Sequence, residues 1–158
     1  MNLASFLTDT ALRVPDHTAI RFEGMSVSFH EMNRQVDWLA HGLTRLGLKA
    51  GDVCILMMPS SLSWALIYYA IAKVGAIVVP VNFLYRQGEL EHIFKDSGAR
   101  AFIGHADHLQ EAMTVMKSLP QIDLRIAEGS NLPEGIIPLA EIFAGDGEYE
   151  VFPSHDDD

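Results

Sequence analysis

Residues 51–81 constrain the fold more than any other stretch, because three apolar segments follow one another there with clear breaks between them. Residues 53–58 form an unbroken apolar run of strand length, as expected for a strand that is covered on both faces. Residues 62–74 are long enough for a helix, and residues 76–81 are short and rich in β-branched side chains. This order predicts a parallel strand–helix–strand unit with a right-handed crossover.

The middle segment is apolar on every face, so a membrane span is the alternative to a buried helix. Residues 62–79 contain a single charged side chain, that of Lys73. The helical run before Lys73 is too short to cross a bilayer, and Gly75 interrupts the segment. Ser60 or Ser61 can cap the helix, since a short hydroxyl side chain accepts a hydrogen bond from a free first-turn N–H. We therefore favour a buried helix of a soluble domain.

The same alternation of strand-like and helix-like segments continues along the chain. Further strands are predicted to begin near residues 100 and 124, at the spacing of repeated strand–helix units. Ahead of the sheet, residues 19–29 predict a hairpin around a Glu23-Gly24 turn, and residues 138–143 predict one or two helical turns. We expect an α/β fold, with helices on both sides of a parallel sheet, preceded by a helix and the hairpin. The first helix is predicted to bury one apolar stripe: Leu3, Phe6, Leu7, Ala11 and Val14.

The net charge of −10 is concentrated at the end of the chain. Residues 1–125 contain 12 acidic and 11 Lys or Arg residues, whereas residues 126–158 contain 9 acidic residues and no Lys or Arg. The nearly neutral body has no basic patch, which argues against nucleic-acid binding. We predict one α/β domain over residues 1–144 and an acidic, flexible tail over residues 145–158. Residues 1–14 resemble no secretion signal, so the expected compartment is the cytoplasm.

The residues by themselves define no chemistry. No glycine-rich dinucleotide fingerprint or Walker-type phosphate loop follows any predicted strand. Cys54 lies in a predicted strand and is expected to be a core residue. His105, Asp107 and His108 could contribute to a metal site, but a solvated start of a helix explains them better. The serines at residues 60–63 lack a partner base in the sequence, so capping is preferred to nucleophilic catalysis.

Several ordered stretches nevertheless resemble the amino-terminal part of the adenylate-forming, AMP-binding acyl-CoA synthetases, such as the long-chain fatty-acid–CoA ligases. The resemblance implies that a carboxylate attacks ATP to give an acyl-adenylate and pyrophosphate, and that the CoA thiol then displaces AMP. ATP, Mg²⁺ and CoA would be the cofactors of the parent enzyme. The stretches that carry the resemblance are PDHTAI (15–20), VSFHEM (27–32), LAHGL (39–43), GDV (51–53), MPS (58–60), AKVGA (72–76), VPVN (79–82) and DSGAR (96–100).

Family members are much longer, and their phosphate loop, ribose-binding aspartate and catalytic lysine are expected beyond residue 158. The resemblance therefore implies an inactive fragment that binds none of the cofactors by itself, so no catalytic or metal-binding residue is assigned. Its partners would be the rest of the ligase chain and, in the parent enzyme, a fatty-acid-like carboxylate. We also expect the fragment to form homo-oligomers. The competing interpretation is a stand-alone, non-enzymatic module that binds a partner protein.

The resemblance implies one candidate site in this chain, a loop near the CoA channel. In the acyl-CoA synthetases, the loop that follows the second parallel strand lies near the CoA channel. The corresponding residues here are Asn82, Phe83, Leu84 and Tyr85. The alternative for each of them is a plain strand-to-helix turn.

Overall fold

The computed structural model of the protein describes residues 3–143 and confirms a parallel α/β fold. A helix and a two-stranded antiparallel hairpin precede a five-stranded sheet in which all paired strands are parallel. In chain order the elements are α1 (Leu3–Arg13), β1 (Thr18–Phe22), β2 (Met25–Ser28), α2 (Phe29–Arg45), β3 (Val53–Met57), α3 (Leu62–Val74), β4 (Ile77–Pro80), α4 (Gln87–Ser97), β5 (Ala101–His105), α5 (Leu109–Met116), β6 (Leu124–Glu128), β7 (Ile137–Pro138) and α6 (Leu139–Phe143). The parallel strands lie in the order β4–β3–β5–β6–β7.

The β3–α3–β4 unit has the predicted form. Ser61 caps α3, since its hydroxyl oxygen accepts a hydrogen bond from the Trp64 N–H at 3.0 Å. Gly75 ends the helix in the left-handed conformation, with φ of 86°, which a residue with a side chain adopts only with strain. No helix within residues 3–143 is long and apolar enough to cross a membrane.

Two apolar cores cover the two faces of the sheet. On β3, the side chains of Cys54 and Leu56 belong to one core, together with residues of α2 and α3. The alternate side chains Ile55 and Met57 belong to the other core, with residues of α4 and α5. Alternation along one strand thus separates the helices into two layers, and burial on both faces explains the continuous apolar run of β3.

The orientation of α1 differs from the prediction. Leu3 and Phe6 were expected on its buried stripe, but 41% and 55% of their surfaces are exposed. The buried residues are Ala4, Leu7 and Ala11. The small side chains of Ala4 and Ala11 lie on the inner face and let α1 approach α2 and α3 closely. The spacing of large apolar residues does not predict this orientation.

The short helix α6 confirms the predicted helical turns and packs directly on α2. A side chain at Gly42 would overlap with the side chain of Ile142, so this contact requires glycine. Arg45 adds a hydrogen bond from Nη2 to the Ile142 carbonyl oxygen at 3.5 Å. Strand β7, just ahead of α6, was not predicted. The predicted tail over residues 145–158 lies outside the described residues, so its flexibility stays a prediction.

Candidate functional site

The strand order creates a topological switch point between β3 and β5. After β3 the chain crosses to β4 on one side, whereas β5 lies on the other side of β3. Helices α3 and α5, which follow β3 and β5, pack on opposite faces of the sheet. The connections that leave the carboxyl ends of β3 and β5 therefore diverge. In open parallel sheets, ligands bind in the crevice that opens at such a point.

A groove of about 1320 Å³ occupies this position, and we call it the carboxyl-edge groove. Its walls come from α2, from the connection after β3, from the turn after β5 and from the loop after β6, and α6 lies at one end. Leu62, Leu66 and Ile67 of α3 contribute buried apolar surface. The groove is further defined by Glu31, Arg34, Trp38, Ser60, Ser63, His105, Asp107, Met113, Lys117, Glu128, Leu132 and Leu139.

One hydrogen bond in the groove joins residues that are distant in sequence. Ser63 Oγ donates to Glu128 Oε1 at 2.5 Å. Ser63 lies in the first turn of α3, and Glu128 is the last residue of β6. The bond therefore ties α3 to a strand two positions away from β3 in the sheet. Local sequence patterns suggest only a capping or nucleophilic role for Ser63, because they give no signal of a partner 65 residues away.

Acidic side chains outnumber basic ones in the carboxyl-edge groove. Arg34 and Lys117 face four carboxylates: Glu23, Glu31, Asp107 and Glu128. Arg34 is itself paired, because its Nε and Nη2 donate to the Glu31 carboxylate at 3.1 and 3.0 Å. Burial tends to raise the pKa of Glu31, but hydrogen bonds from Arg34 and Gln35 outweigh that effect and hold the pKa below its ordinary value. The groove therefore carries an excess of negative charge near neutral pH.

The two histidines after β5 form a turn. His105 Nδ1 accepts a hydrogen bond from the Asp107 N–H at 3.3 Å and caps the short 3₁₀ turn Ala106–His108. Within residues 3–143, no group of three or more His, Cys, Asp or Glu side chains is placed to hold a metal ion. Cys54 is fully buried, and burial raises the pKa of its thiol, so a thiolate is strongly disfavoured there.

The four candidate CoA neighbours lie at the same edge of the sheet but do not line the groove. Asn82 Oδ1 accepts a hydrogen bond from the Leu84 N–H at 3.0 Å, which makes a tight turn after β4. The Phe83 ring packs on His108, with ring centroids 4.6 Å apart. Leu84 and Tyr85 are 65% and 36% exposed. The loop is thus a strand-to-helix turn with apolar side chains at the surface, and its role toward CoA stays a prediction.

Comparison with known proteins identifies the family. The family model described as "AMP-binding enzyme" matches residues 7–145. The long-chain-fatty-acid–CoA ligase of Bacillus subtilis is 37% identical over 121 residues, which cover 77% of this chain and 21% of the ligase. A crystal structure of a long-chain-fatty-acid–CoA ligase from Archaeoglobus fulgidus aligns with a TM-score of 0.81 and 26% identity, covering 91% of this chain and 30% of that one.

A second crystal structure, of the anthranilate CoA ligase AuaEII in complex with anthranoyl-AMP, supports the fold. It aligns with a TM-score of 0.84 at 24% identity and covers 91% of this chain and 28% of that one. The chain spans between 21% and 30% of the length of these three relatives. Since the family model covers nearly all of the described residues, the chain belongs to the AMP-binding enzyme family.

Proposed function

We propose that this chain is the amino-terminal part of an ATP-dependent acyl-CoA synthetase, which converts a fatty acid, ATP and CoA to acyl-CoA, AMP and pyrophosphate. The observation that carries the proposal is the family match over residues 7–145, which includes every strand of the parallel sheet. The 37% identity to a long-chain-fatty-acid–CoA ligase supports a fatty acid as the substrate.

The chain would contribute a wall of the active site and not the nucleotide site. We assign no described residue to ATP, because the acidic excess of the carboxyl-edge groove is unfavourable for a polyphosphate. We assign none to Mg²⁺, because no group of three or more His, Cys, Asp or Glu side chains within residues 3–143 is placed to hold a metal ion. The amide-lined phosphate loop, the ribose-binding carboxylate and the catalytic lysine would come from polypeptide beyond residue 158. By itself, this chain would therefore form no acyl-CoA.

The loop after β4 fits one part of CoA. The pantetheine arm is uncharged, and exposed Leu84 and Tyr85 would offer it an apolar surface. In Arg86, the next residue, 84% of the side-chain surface is exposed, and Nη1 lies 3.6 Å from Glu111 Oε1. Its guanidinium would favour the CoA phosphates by Coulomb attraction. CoA supplies the thiol nucleophile when it is bound, and these residues would orient it.

A chimera tests the proposed activity. This chain would replace the matching region of the Bacillus subtilis ligase, and pyrophosphate release would be measured with a long-chain fatty acid, Mg-ATP and CoA. The same ligase without that region is the control. We expect activity from the chimera and none from the truncated control. A folded chimera without activity would instead favour a stand-alone, partner-binding module.

Variants of the loop after β4 test the CoA assignment in the same chimera. Leu84→Ser and Tyr85→Ala should raise the KM for CoA and leave the KM for ATP unchanged. Leu12→Ser is a matched control, because Leu12 is 78% exposed and lies on α1. An unchanged KM for CoA in both loop variants would show that the loop is only a turn.

A further inference from the structure

We propose that His108 is a positioning residue for CoA: its ring holds Phe83, and through Phe83 it holds the loop after β4, where exposed Leu84 and Tyr85 would meet the pantetheine arm. This inference rests on the proposed function. It goes beyond that function by assigning the residue outside the loop that keeps the loop in place. His108 lies 25 residues after Phe83, so the contact joins two separate connections of the sheet.

Phe83 fixes the loop after β4 to the body of the protein. Among residues 82–86 it is the one residue that is not exposed, and it packs against the apolar core on the α4 and α5 face of the sheet. The loop has its own hydrogen bonds, from the Leu84 N–H to Asn82 Oδ1 at 3.0 Å and from the Tyr85 N–H to the Asn82 carbonyl oxygen at 3.1 Å. These bonds are local, so they set the shape of the loop but not its place on the sheet.

The ring of His108 contacts Phe83 from another connection of the sheet. The two ring centroids are 4.6 Å apart, and the ring planes are tilted by 54°. This separation lies within the range of about 4.5–7 Å in which aromatic pairs attract each other. His108 ends the short 3₁₀ turn between β5 and α5. Since β3 lies between β4 and β5 in the sheet, the ring contact spans the end of β3.

The turn that carries His108 is held on both sides. His105 Nδ1 accepts the Asp107 N–H and caps the turn, and the His105 ring centroid lies 6.2 Å from that of His108. On the other side, a Cβ atom at Gly129 would overlap with the Cβ of Ala106, so the loop after β6 packs directly against the turn. His108 therefore presents its ring from a well-supported position, and the loop after β4 takes its place from that ring.

A second contact between the loop and α5 is too exposed to replace the ring pair. Arg86 Nη1 lies 3.6 Å from Glu111 Oε1, and 84% of the Arg86 side chain is exposed. Exposed ion pairs contribute little, because water screens them. The CoA phosphates would also compete with Glu111 for the same guanidinium. Of these two contacts, the ring pair is the one that would persist when CoA binds.

Removing the ring should weaken the binding of CoA more than that of ATP. A loop that is ordered before binding loses less conformational entropy when its ligand arrives. Without His108, the loop would pay that cost at the moment CoA binds. The contact is made by the face of an aromatic ring, so Phe should replace His108 and Ala should not.

Variants of His108 in the chimera with the Bacillus subtilis ligase test the proposal. Initial rates of acyl-CoA formation would be measured with CoA and ATP varied separately. We expect His108→Ala to raise the KM for CoA about three- to tenfold and to leave the KM for ATP unchanged. His108→Phe should keep the KM for CoA of the unaltered chimera. His41→Ala is the matched control, because His41 is exposed on α2, which packs on the opposite face of the sheet.

Three results would overturn the proposal. An unchanged KM for CoA in His108→Ala would show that the loop does not depend on the ring. A parallel rise in the KM for CoA and the KM for ATP would show a general loss of structure. Equal effects of His108→Phe and His108→Ala would exclude the ring contact as the cause. If His108→Ala does not fold, His108→Gln removes the ring but keeps a polar side chain, and the same expectations apply to it.

Hydrogen exchange of the 158-residue chain tests the contact without activity. The amides of residues 83–86 should exchange faster in His108→Ala than in the unaltered chain, whereas those of β3 and β5 should not. Unchanged exchange would refute the positioning role.

The two proposals fail in different ways. An active chimera whose KM for CoA is unaffected by His108→Ala would refute the role of His108 and leave the ligase function standing. An inactive unaltered chimera, combined with faster loop exchange in His108→Ala, would refute the ligase function and leave standing the contact that holds the loop.

Discussion

The two ends of the parallel sheet are built in opposite ways. At the amino end, Arg100 links three connections: its Nη1 donates to the Gly47 carbonyl at 2.7 Å and to Asp52 Oδ2 at 2.9 Å, and its Nε lies 3.4 Å from Asp123 Oδ1. At the carboxyl end, the connections diverge around a groove that the Ser63–Glu128 hydrogen bond crosses. Charged side chains link the connections at the amino end, whereas the connections at the carboxyl end leave a groove between them. We therefore expect stability to depend mainly on the amino end and ligand binding to occur at the carboxyl end.

Removing the guanidinium at the amino end should have the largest effect on stability. We expect Arg100→Met to lower the free energy of unfolding by about 2 kcal/mol, because it removes the guanidinium that donates to both the Asp52 carboxylate and the Gly47 carbonyl. Arg100→Lys should recover only part of this loss, since an ammonium group cannot replace the fork of donors. Urea denaturation measures both variants. If Arg100→Met changed the free energy of unfolding by less than about 0.5 kcal/mol, the contacts of Arg100 at the amino end would not be a main source of stability.

The corresponding change at the carboxyl end should cost less. Ser63→Ala removes one hydrogen bond to Glu128, which remains partly accessible to water, so we expect a loss of about 1 kcal/mol. Ser60→Ala is the control, because Ser60 is exposed in the same connection. The comparison between the two ends fails if Ser63→Ala destabilises the protein more than Arg100→Met does.

The amino end should also make stability depend on acid pH. The Lys49 N–H, 2.8 Å from Asp52 Oδ2, and the Arg100 guanidinium lower the pKa of Asp52, although burial acts in the opposite direction. An aspartate in the unfolded chain has a pKa of about 3.9. The contribution of Asp52 is therefore complete above about pH 5 and is lost as the pH falls through the lower folded value. Urea midpoints between neutral and acid pH should decline less steeply in Asp52→Asn, and an unchanged decline would contradict this assignment.

Self-association is the weakest effect we expect, and it should not involve the sheet edges. Both edge strands contain a proline, Pro80 in β4 and Pro138 in β7, which cannot donate a hydrogen bond to a further strand. The exposed aromatic side chain of Phe6 is a better candidate for the contact between two copies than the sheet edges are. Light scattering at tens of micromolar should show a dimer or larger oligomer, shifted toward monomer by Phe6→Ser but not by Leu12→Ser on another face of α1. A clean monomer of the unaltered chain would refute self-association.

The elements of the fold were predictable from the sequence, and the site was not. The bounds of α3 followed from local signals, namely a capping serine, an apolar run and Gly75. The rotation of α1 was not predictable, because the burial of Ala4 and the exposure of Phe6 depend on how closely α1 packs against its neighbours. Strand β7 has only two residues, too few for a periodic pattern.

The carboxyl-edge groove depends on the order of the strands in the sheet, and a sequence of repeated strand–helix units does not determine that order. Its Ser63–Glu128 bond joins residues that no local pattern relates. The position of the loop at Asn82, after the carboxyl end of a parallel strand, was predictable from the strand pattern, but its separation from the groove required the structure.

We propose that this chain provides a wall of a ligase active site and that the nucleotide site lies in other parts of the polypeptide. Isothermal titration calorimetry of the 158-residue chain with Mg-ATP tests it most directly. We predict no saturable heat of binding in the micromolar range. Saturable micromolar binding would contradict the account, because it would require a complete nucleotide site within these residues.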